Sequence, residues 1–490
     1  MRHSTLSEHK FNKGEFITPL NSLPLTEFED VKTWSYGRMP EYLWIGLILK
    51  YYGRENGMIQ CNFIINKLHR LAPELTTPRI SEILKLDSNI QRQFYNFVIN
   101  MGCKDVLAPL TVFITVSKNP IFAEMFYCKN QNIGERCKTL LDVMEDILDQ
   151  HSNEAIDIRF IVLYFCVLSG KMKIQKAQAD ILSLYPISNH DDEIMRMARP
   201  LVSSSEMMIL AMENVNSQYI NDFWRILSKM TDCDLIAMRF PEENRNIALY
   251  MECLHEIFSY LSDLYITTDS LNEKMKVLLG IATYSYKRLK EIYDHQMFNS
   301  ISVRSCVRVL IEDYIMMKYL LKNESLHQDI WREYQMYGMG LYKLVLKRLL
   351  ESESLCDNHF DQQYIEGLVN EYRDEEFLNM DTKYFDKQNI RLKAADVGEK
   401  ELYGLYYDYD SSFEHGLWGA IRESSFLKCM NPAHKYHCVP DVENQNRLKS
   451  ALPDCIMIMN KTLIILNELY AIPDQLFNGV INFEVEPITK

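Results

Sequence analysis

Glycine and proline are scarce, 17 and 15 in 490 residues. Each is roughly 3% of the chain, against usual values of about 7% and 5%. Few backbone breakers mean few tight turns, which favours helices over hairpins. A surplus of positive charge is also missing: 67 Asp and Glu stand against 53 Lys and Arg, a formal net charge of −14. Coating duplex DNA takes clustered cations to neutralise phosphates, so the balance points away from duplex DNA and leaves room only for a small basic site. The most apolar run, Phe160 to Leu168, falls far short of the roughly 20 residues that span a bilayer. The opening Met1-Arg2-His3-Ser4-Thr5 is polar and lacks the apolar block of a signal peptide. The 12 cysteines follow no paired framework spacing, and Cys61, Cys166, Cys253 and Cys306 lie in apolar helical stretches. They read as small buried hydrophobes in a reducing compartment. The expectation is a soluble, cytoplasmic protein with no membrane partner.

The chain has enough apolar material for a core, with 47% hydrophobic and 24% charged residues, near the globular average. One domain per roughly 150 residues gives about three. The first forty residues read as extended, punctuated by Pro19, Pro24 and Pro40. From Glu41, residues Leu43, Trp44, Leu47 and Ile48 fall at 3–4 spacing and predict a helix. Similar patterns cover 135–150 and 216–231, whereas 186–192 and 199–205 read as loops. After a break at 267–270 come helical patterns over 271–298, 301–321 and 324–351. Residues 351–381 are strongly acidic, which reads as a solvated face or long connection rather than a metal cage. Helix resumes near Glu399, stops around Asn431-Pro432 and returns over 444–470, and the residues from Phe477 alternate like one short strand. No repeat period is visible, so no solenoid is expected. The expected fold is all-α, a multi-helix N-terminal region followed by a C-terminal helical bundle. Its divisions are an extended segment over 1–40, a helical domain over 41–266 and a bundle over 267–490.

The densest polar constellation runs from Tyr406 to Arg422. On one helix Asp408, Ser411 or Ser412, His415, Trp418 or Gly419, and Arg422 share a face. If buried, such a stripe must satisfy itself or a ligand. The functional reading makes His415 an acid, base or donor and Arg422 an anion clamp; the plain reading is a polar network locking helices. Arg308 and Glu312, four apart in an apolar helix, form either an intrahelical ion pair or a pair reaching His415 across the bundle. Cys429, His434, His437 and Cys438 carry metal-ligand chemistry. Neighbouring His437 and Cys438 rarely point at one ion, however, and no second Cys-x-x-Cys exists. A loop turned toward the polar stripe is the preferred reading, and no cofactor is expected. The Trp34–Trp44 segment reads as a helix start that buries two indoles. No Gly-rich phosphate loop, GxSxG elbow or HExxH motif is present.

These short motifs together resemble an uncharacterised family of bacterial helical proteins of unknown function. Its pattern of an early Trp, then Leu-Pro-Glu and Leu-Trp, is matched by Trp34, Met39-Pro40-Glu41 and Leu43-Trp44, with Met39 where Leu is usual. Arg-x3-Glu is matched by Arg308 and Glu312, and Tyr followed by Ser-x2-His-Gly by Tyr406, Ser412, His415 and Gly416. Trp-Gly-Ala-x-Arg is matched by Trp418 to Arg422, and Cys-x-Asn-Pro-x-His-x2-His by Cys429, Asn431, Pro432, His434 and His437. Residues 60–270 carry no matching motif. The resemblance implies an all-helical fold and a single site shared by the stripe and the Cys/His loop. It implies no established activity, and a phage-defence setting is the context it suggests. Separately, Arg288 and His295 fit the loose Arg-x4–6-His spacing of HEPN-superfamily ribonucleases, a degenerate pattern.

Three functions follow as expectations. The first is an effector or binding protein whose buried Arg/Glu/Ser/His site takes a small ligand, peptide or RNA end, with RNA or protein as partner and homo-oligomers open. The second is a metal-independent ribonuclease using His415 as acid/base, with Arg422 or Arg308 stabilising the developing charge. The third is a metal-dependent hydrolase using the Cys/His loop.

Overall fold

A computed structural model describes residues 6–17, 33–210, 216–238, 240, 247–351, 359–371, 387–443 and 448–483. The fold is all-α, with only short strands among the described residues. The chain forms two compact units. One is made of residues 1–236 and 428–438, the other of 237–427 and 439–490. The division thus runs after Ile236, not after 266, and a short excursion of the later chain belongs to the first unit.

In the first unit the Met39–Leu71 helix is central, starting with Pro40 in its first turn after a π-helical turn over Trp34–Arg38. From Met39 to Leu49 every residue is buried, as expected of a helix apolar on all sides. Both indoles are buried, with Trp34 Nε1 donating to the Ile147 carbonyl (2.8 Å) and Trp44 Nε1 to that of Pro78 (3.1 Å). Buried Glu41 accepts from the backbone N–H (2.9 Å) and hydroxyl (2.7 Å) of Ser81. Around this helix pack Ile133–Ile147, opened by an Asn132–Glu135 capping box, and Asn153–Leu168, capped by Ser152.

Several local expectations are corrected. Residues 199–205 are helical, inside Met195–Leu210, with Pro200 in the helix. Buried Met195, Ala198 and Val202 recur at 3–4 spacing, and that packing overrides the proline. Of the first forty residues, Lys10–Asn12 (β1) and Glu15–Ile17 (β2) form a hairpin, turning at Lys13 and Gly14 with positive φ. Residues 18–32 lie outside the described residues.

The second unit centres on the Ile301–Asn323 helix, capped by Ser300, whose Val303, Val307, Leu310, Tyr314 and Met317 are buried at helical spacing. Glu273–Asp294, capped by Asn272, and Leu452–Tyr470 pack against it. Phe477 begins no strand. It lies in the Asp474–Ile481 helix, where Leu476 and Phe477 join the core and Val480 is buried; residues 484–490 lie outside the described residues. Helix also ends earlier than Asn431, at Ser425, and the chain continues as strand. Residues 444–447 lie outside the described residues, and the last long helix starts at Leu452. The acidic stretch is described only in part, and there Asp361 caps the Gln362–Asn370 helix.

Candidate functional site

The polar stripe around His415 is not one helix. Gly416 adopts φ 57° and ends Asp408–Glu414, with the Leu417 N–H bonded back to the Ser412 carbonyl (2.9 Å). A new helix, Trp418–Ser425, then starts. This is glycine's usual role at a helix end, where a left-handed residue closes the orphan carbonyls. His415, Trp418 and Gly419 are exposed, and His415 has no side-chain partner among the described residues. Ser412 donates to the Tyr409 carbonyl (2.6 Å), and Arg422 makes one long bond to the Phe426 carbonyl (3.4 Å). The buried face is instead Tyr407, Asp410 and Phe413. Apolar Phe413 and the tyrosine ring outcompete histidine for the interior, so the helix rotates the expected stripe outward.

What crosses the bundle is Arg308, Glu312 and Tyr407. The Arg308 Nη2 donates to Glu312 Oε1 (3.1 Å) and to the Tyr407 hydroxyl (2.9 Å). Tyr407 in turn donates to the same Glu312 oxygen (2.5 Å). The guanidinium also lies 5.0 Å from the Tyr407 ring centroid, and Tyr403 stacks on that ring at 4.5 Å. Burial, joined by the Glu312 carboxylate, pushes the Tyr407 phenol up to about 12. Arg308 therefore meets the constellation at Tyr407, whereas the expected partner was His415.

One turn earlier, Arg304 is buried under the rings of Tyr409 and Phe413 and donates to the Lys449 carbonyl (2.6 Å). Ser305 donates to Glu414. Asp410 is also buried, and among the described residues neither its Oδ1 nor Arg304 Nε has a partner. Burial raises the Asp410 carboxyl to about 7, with Arg304 opposing and Asp454 reinforcing. Asp313 is likewise raised to about 7 by burial; its Ser285 hydrogen bond and nearby Arg288 oppose the rise, and Glu312 adds to it. Arg288 thus acts on Asp313, while His295 caps the helix end and is exposed.

Sequence reading missed Arg304, Tyr407 and Asp410. The available signals were four-residue steps, Arg304–Arg308–Glu312, and the three-residue step from Tyr407 to Asp410, which place the groups on facing stripes.

The Cys/His loop belongs to the first unit and the Tyr406–Arg422 constellation to the second. Leu235–Ile236 (β3) pairs antiparallel with Phe426–Cys429 (β4), which neighbours Cys438–Pro440 (β5). Cys233, Cys429, His434 and His437 bring their donor atoms within 4.8 Å of one another. Cys438, the first residue of β5, is not of this group. Cys233 takes its place. Its link to the loop spans up to 204 residues, and local spacing gives no sign of it.

A family model described as "Family of unknown function (DUF5677)" matches residues 275–433. The match spans Arg304, Arg308, Glu312, Tyr407 and Asp410, reaches Cys429, and stops before His434. Comparison with curated proteins and with solved structures found no match.

Proposed function

We propose that the protein is a helical binding protein of the effector kind, whose second unit recognises an anionic group through Arg308. The way its guanidinium is held carries this reading. Both described hydrogen bonds leave from one nitrogen, Nη2, so Glu312 and Tyr407 fix the plane and Nη1 keeps its donors, while Nε is buried without a partner among the described residues. The side chain is 20% exposed, enough to be reached. The Nη1 donors of a guanidinium held in this way suit an oxygen of a phosphate or carboxylate, such as an RNA end. Burial works against the Arg308 charge, but Tyr407 and Glu312 outweigh it and raise its pKa, so the fork stays cationic.

The groups expected to react support binding over catalysis. Ser412 is tied to its own helix, and no described side chain orients His415. A general base needs its proton acceptor aimed and tuned.

Titrating the full chain with a 5′-phosphorylated RNA oligonucleotide tests the proposal. Arg308→Lys keeps the charge and loses the fork. Binding should weaken about tenfold, roughly one charge-assisted hydrogen bond, with the melting temperature held. Equal affinity of wild type and variant contradicts the reading. Cleavage of total RNA that disappears in His415→Ala would replace it with the ribonuclease alternative. In cells challenged with phage, the effector reading expects protection that Arg308→Ala removes while the protein still accumulates.

A further inference from the structure

We propose that Cys233, Cys429, His434 and His437 form a closed tetrahedral site for a zinc-like divalent cation, a structural Cys2His2 centre that fastens the 428–438 excursion onto the first unit.

The spacing of the donors fits the ion. Tetrahedral zinc with Zn–S of about 2.3 Å and Zn–N of about 2.0–2.1 Å places each sulfur about 3.5 Å from each nitrogen. Cys233 Sγ lies 3.3 Å from His434 Nδ1 and 3.2 Å from His437 Nε2, and Cys429 Sγ lies 3.5 Å from His434 Nδ1. Thiol–imidazole hydrogen bonds account poorly for this set. Cys233 has one proton and two imidazole nitrogens beside it, and His434 Nδ1 faces two sulfurs.

The surroundings fix the imidazole as a ligand. His434 Nε2 lies 3.0 Å from the Thr231 carbonyl and 3.1 Å from that of Ser228. Carbonyls only accept, so Nε2 carries the proton and the bare Nδ1 lone pair faces the sulfurs. A backbone acceptor on the far nitrogen is how metal-bound histidines are oriented.

The backbone is shaped to the same end. Asn431 accepts from the Ala433 N–H (2.9 Å) and donates to the Asp232 carbonyl (2.7 Å), clamping the turn to the residue before Cys233. The Cys429 N–H bonds the His437 carbonyl (2.9 Å), and the Met430 N–H that of Asp234 (2.7 Å). Lys435 and Tyr436 both take left-handed φ, 53° and 49°, a strained conformation for non-glycine residues. This double left-handed step returns the chain so that His437 meets Cys233. Cys429 is fully buried, Cys233 and His437 are exposed, and a cleft of about 650 Å³ beside Trp224, Arg225 and Lys435 gives the ion a way in.

Binding replaces two thiol protons by one divalent ion, giving a neutral centre and releasing two protons. Four protein ligands leave no open position for a reacting water, so the centre is structural rather than hydrolytic.

Metal content of the full chain, purified under reducing conditions and titrated with zinc, tests this directly. One equivalent per chain is expected, kept in Cys438→Ser and lost in Cys429→Ser and His437→Ala. Cobalt loaded into the wild type provides a readout that needs no variant to fold, and tetrahedral bands with thiolate charge transfer are expected. Less than a tenth of an equivalent, an octahedral cobalt spectrum, equal loss in Cys438→Ser, or a Cys233–Cys429 disulfide in the reduced preparation would each overturn the site.

Discussion

Asp410 shows what single residues decide here. Its carboxyl is buried, so the folded chain keeps the proton up to about pH 7, whereas an unfolded aspartate loses it near pH 3.9. The folded state binds more protons between those values. The resulting stability is full below about pH 4 and is lost as pH rises through 7. Asp410→Asn keeps the shape and removes the titration, so at pH 8 it should melt higher than wild type. A domain of 150–250 residues gains about 2–4 °C for each kcal/mol recovered. Asp313 is shifted the same way, so the pH trend should shrink in the single variant and flatten further with Asp313→Asn added. Melting curves from pH 5 to 8 check this, and parallel curves for wild type and Asp410→Asn would refute it. Of the site residues, Arg308 and Glu312 were legible as a pair because four-residue spacing on an apolar helix is a local property. Their third partner, Tyr407, was not, since contact between helices depends on how each one rotates. Rotation also turned His415 outward.

At the scale of elements, composition and periodicity were enough to read the long helices. Scarce glycine and apolar residues at 3–4 spacing predicted helices over 271–298 and 301–321, close to the observed Glu273–Asp294 and Ile301–Asn323, whose caps are Asn272 and Ser300. Short elements were not legible, because two to four residues carry no period; β3, β4 and β5 exist through their pairing. The long Met39–Leu71 helix hides a break: Gly53 adopts φ 74°, and beyond it Gly57 lies against Leu49. A Cβ at Gly57 would sit 2.9 Å from the Leu49 Cα, a backbone atom that cannot step aside. Overpacking of about 1–3 kcal/mol, set against a gain of about 1 kcal/mol in helix propensity, leaves Gly57→Ala a net destabilisation of the first unit of up to about 2 kcal/mol. Denaturant unfolding measures the sign, and a stabilised variant would mean the two halves of this helix pack more loosely than described.

For the whole molecule, the division into units was the least legible feature. The sequence breaks visibly near 267, but the Ile247–Thr268 helix packs with the later chain through Tyr250, Leu254 and Leu261. Residues 428–438 return to the first unit through long-range pairing that no local pattern announces. No helix among the described residues is long and apolar enough to cross a membrane, in line with the absence of a long apolar run. The returning excursion has too few residues for a core of its own, since Cys429, Pro432 and Ala433 are its buried apolar groups, and we attribute its order to the metal centre. Hydrogen exchange on the full chain, with and without chelator, tests that attribution most directly. The Cys429 and Met430 amides, bonded to the His437 and Asp234 carbonyls, should be protected with metal and exchange at least tenfold faster after chelation, while the Ile301–Asn323 amides stay unchanged. Protection at Cys429 and Met430 that chelator leaves untouched would contradict the account.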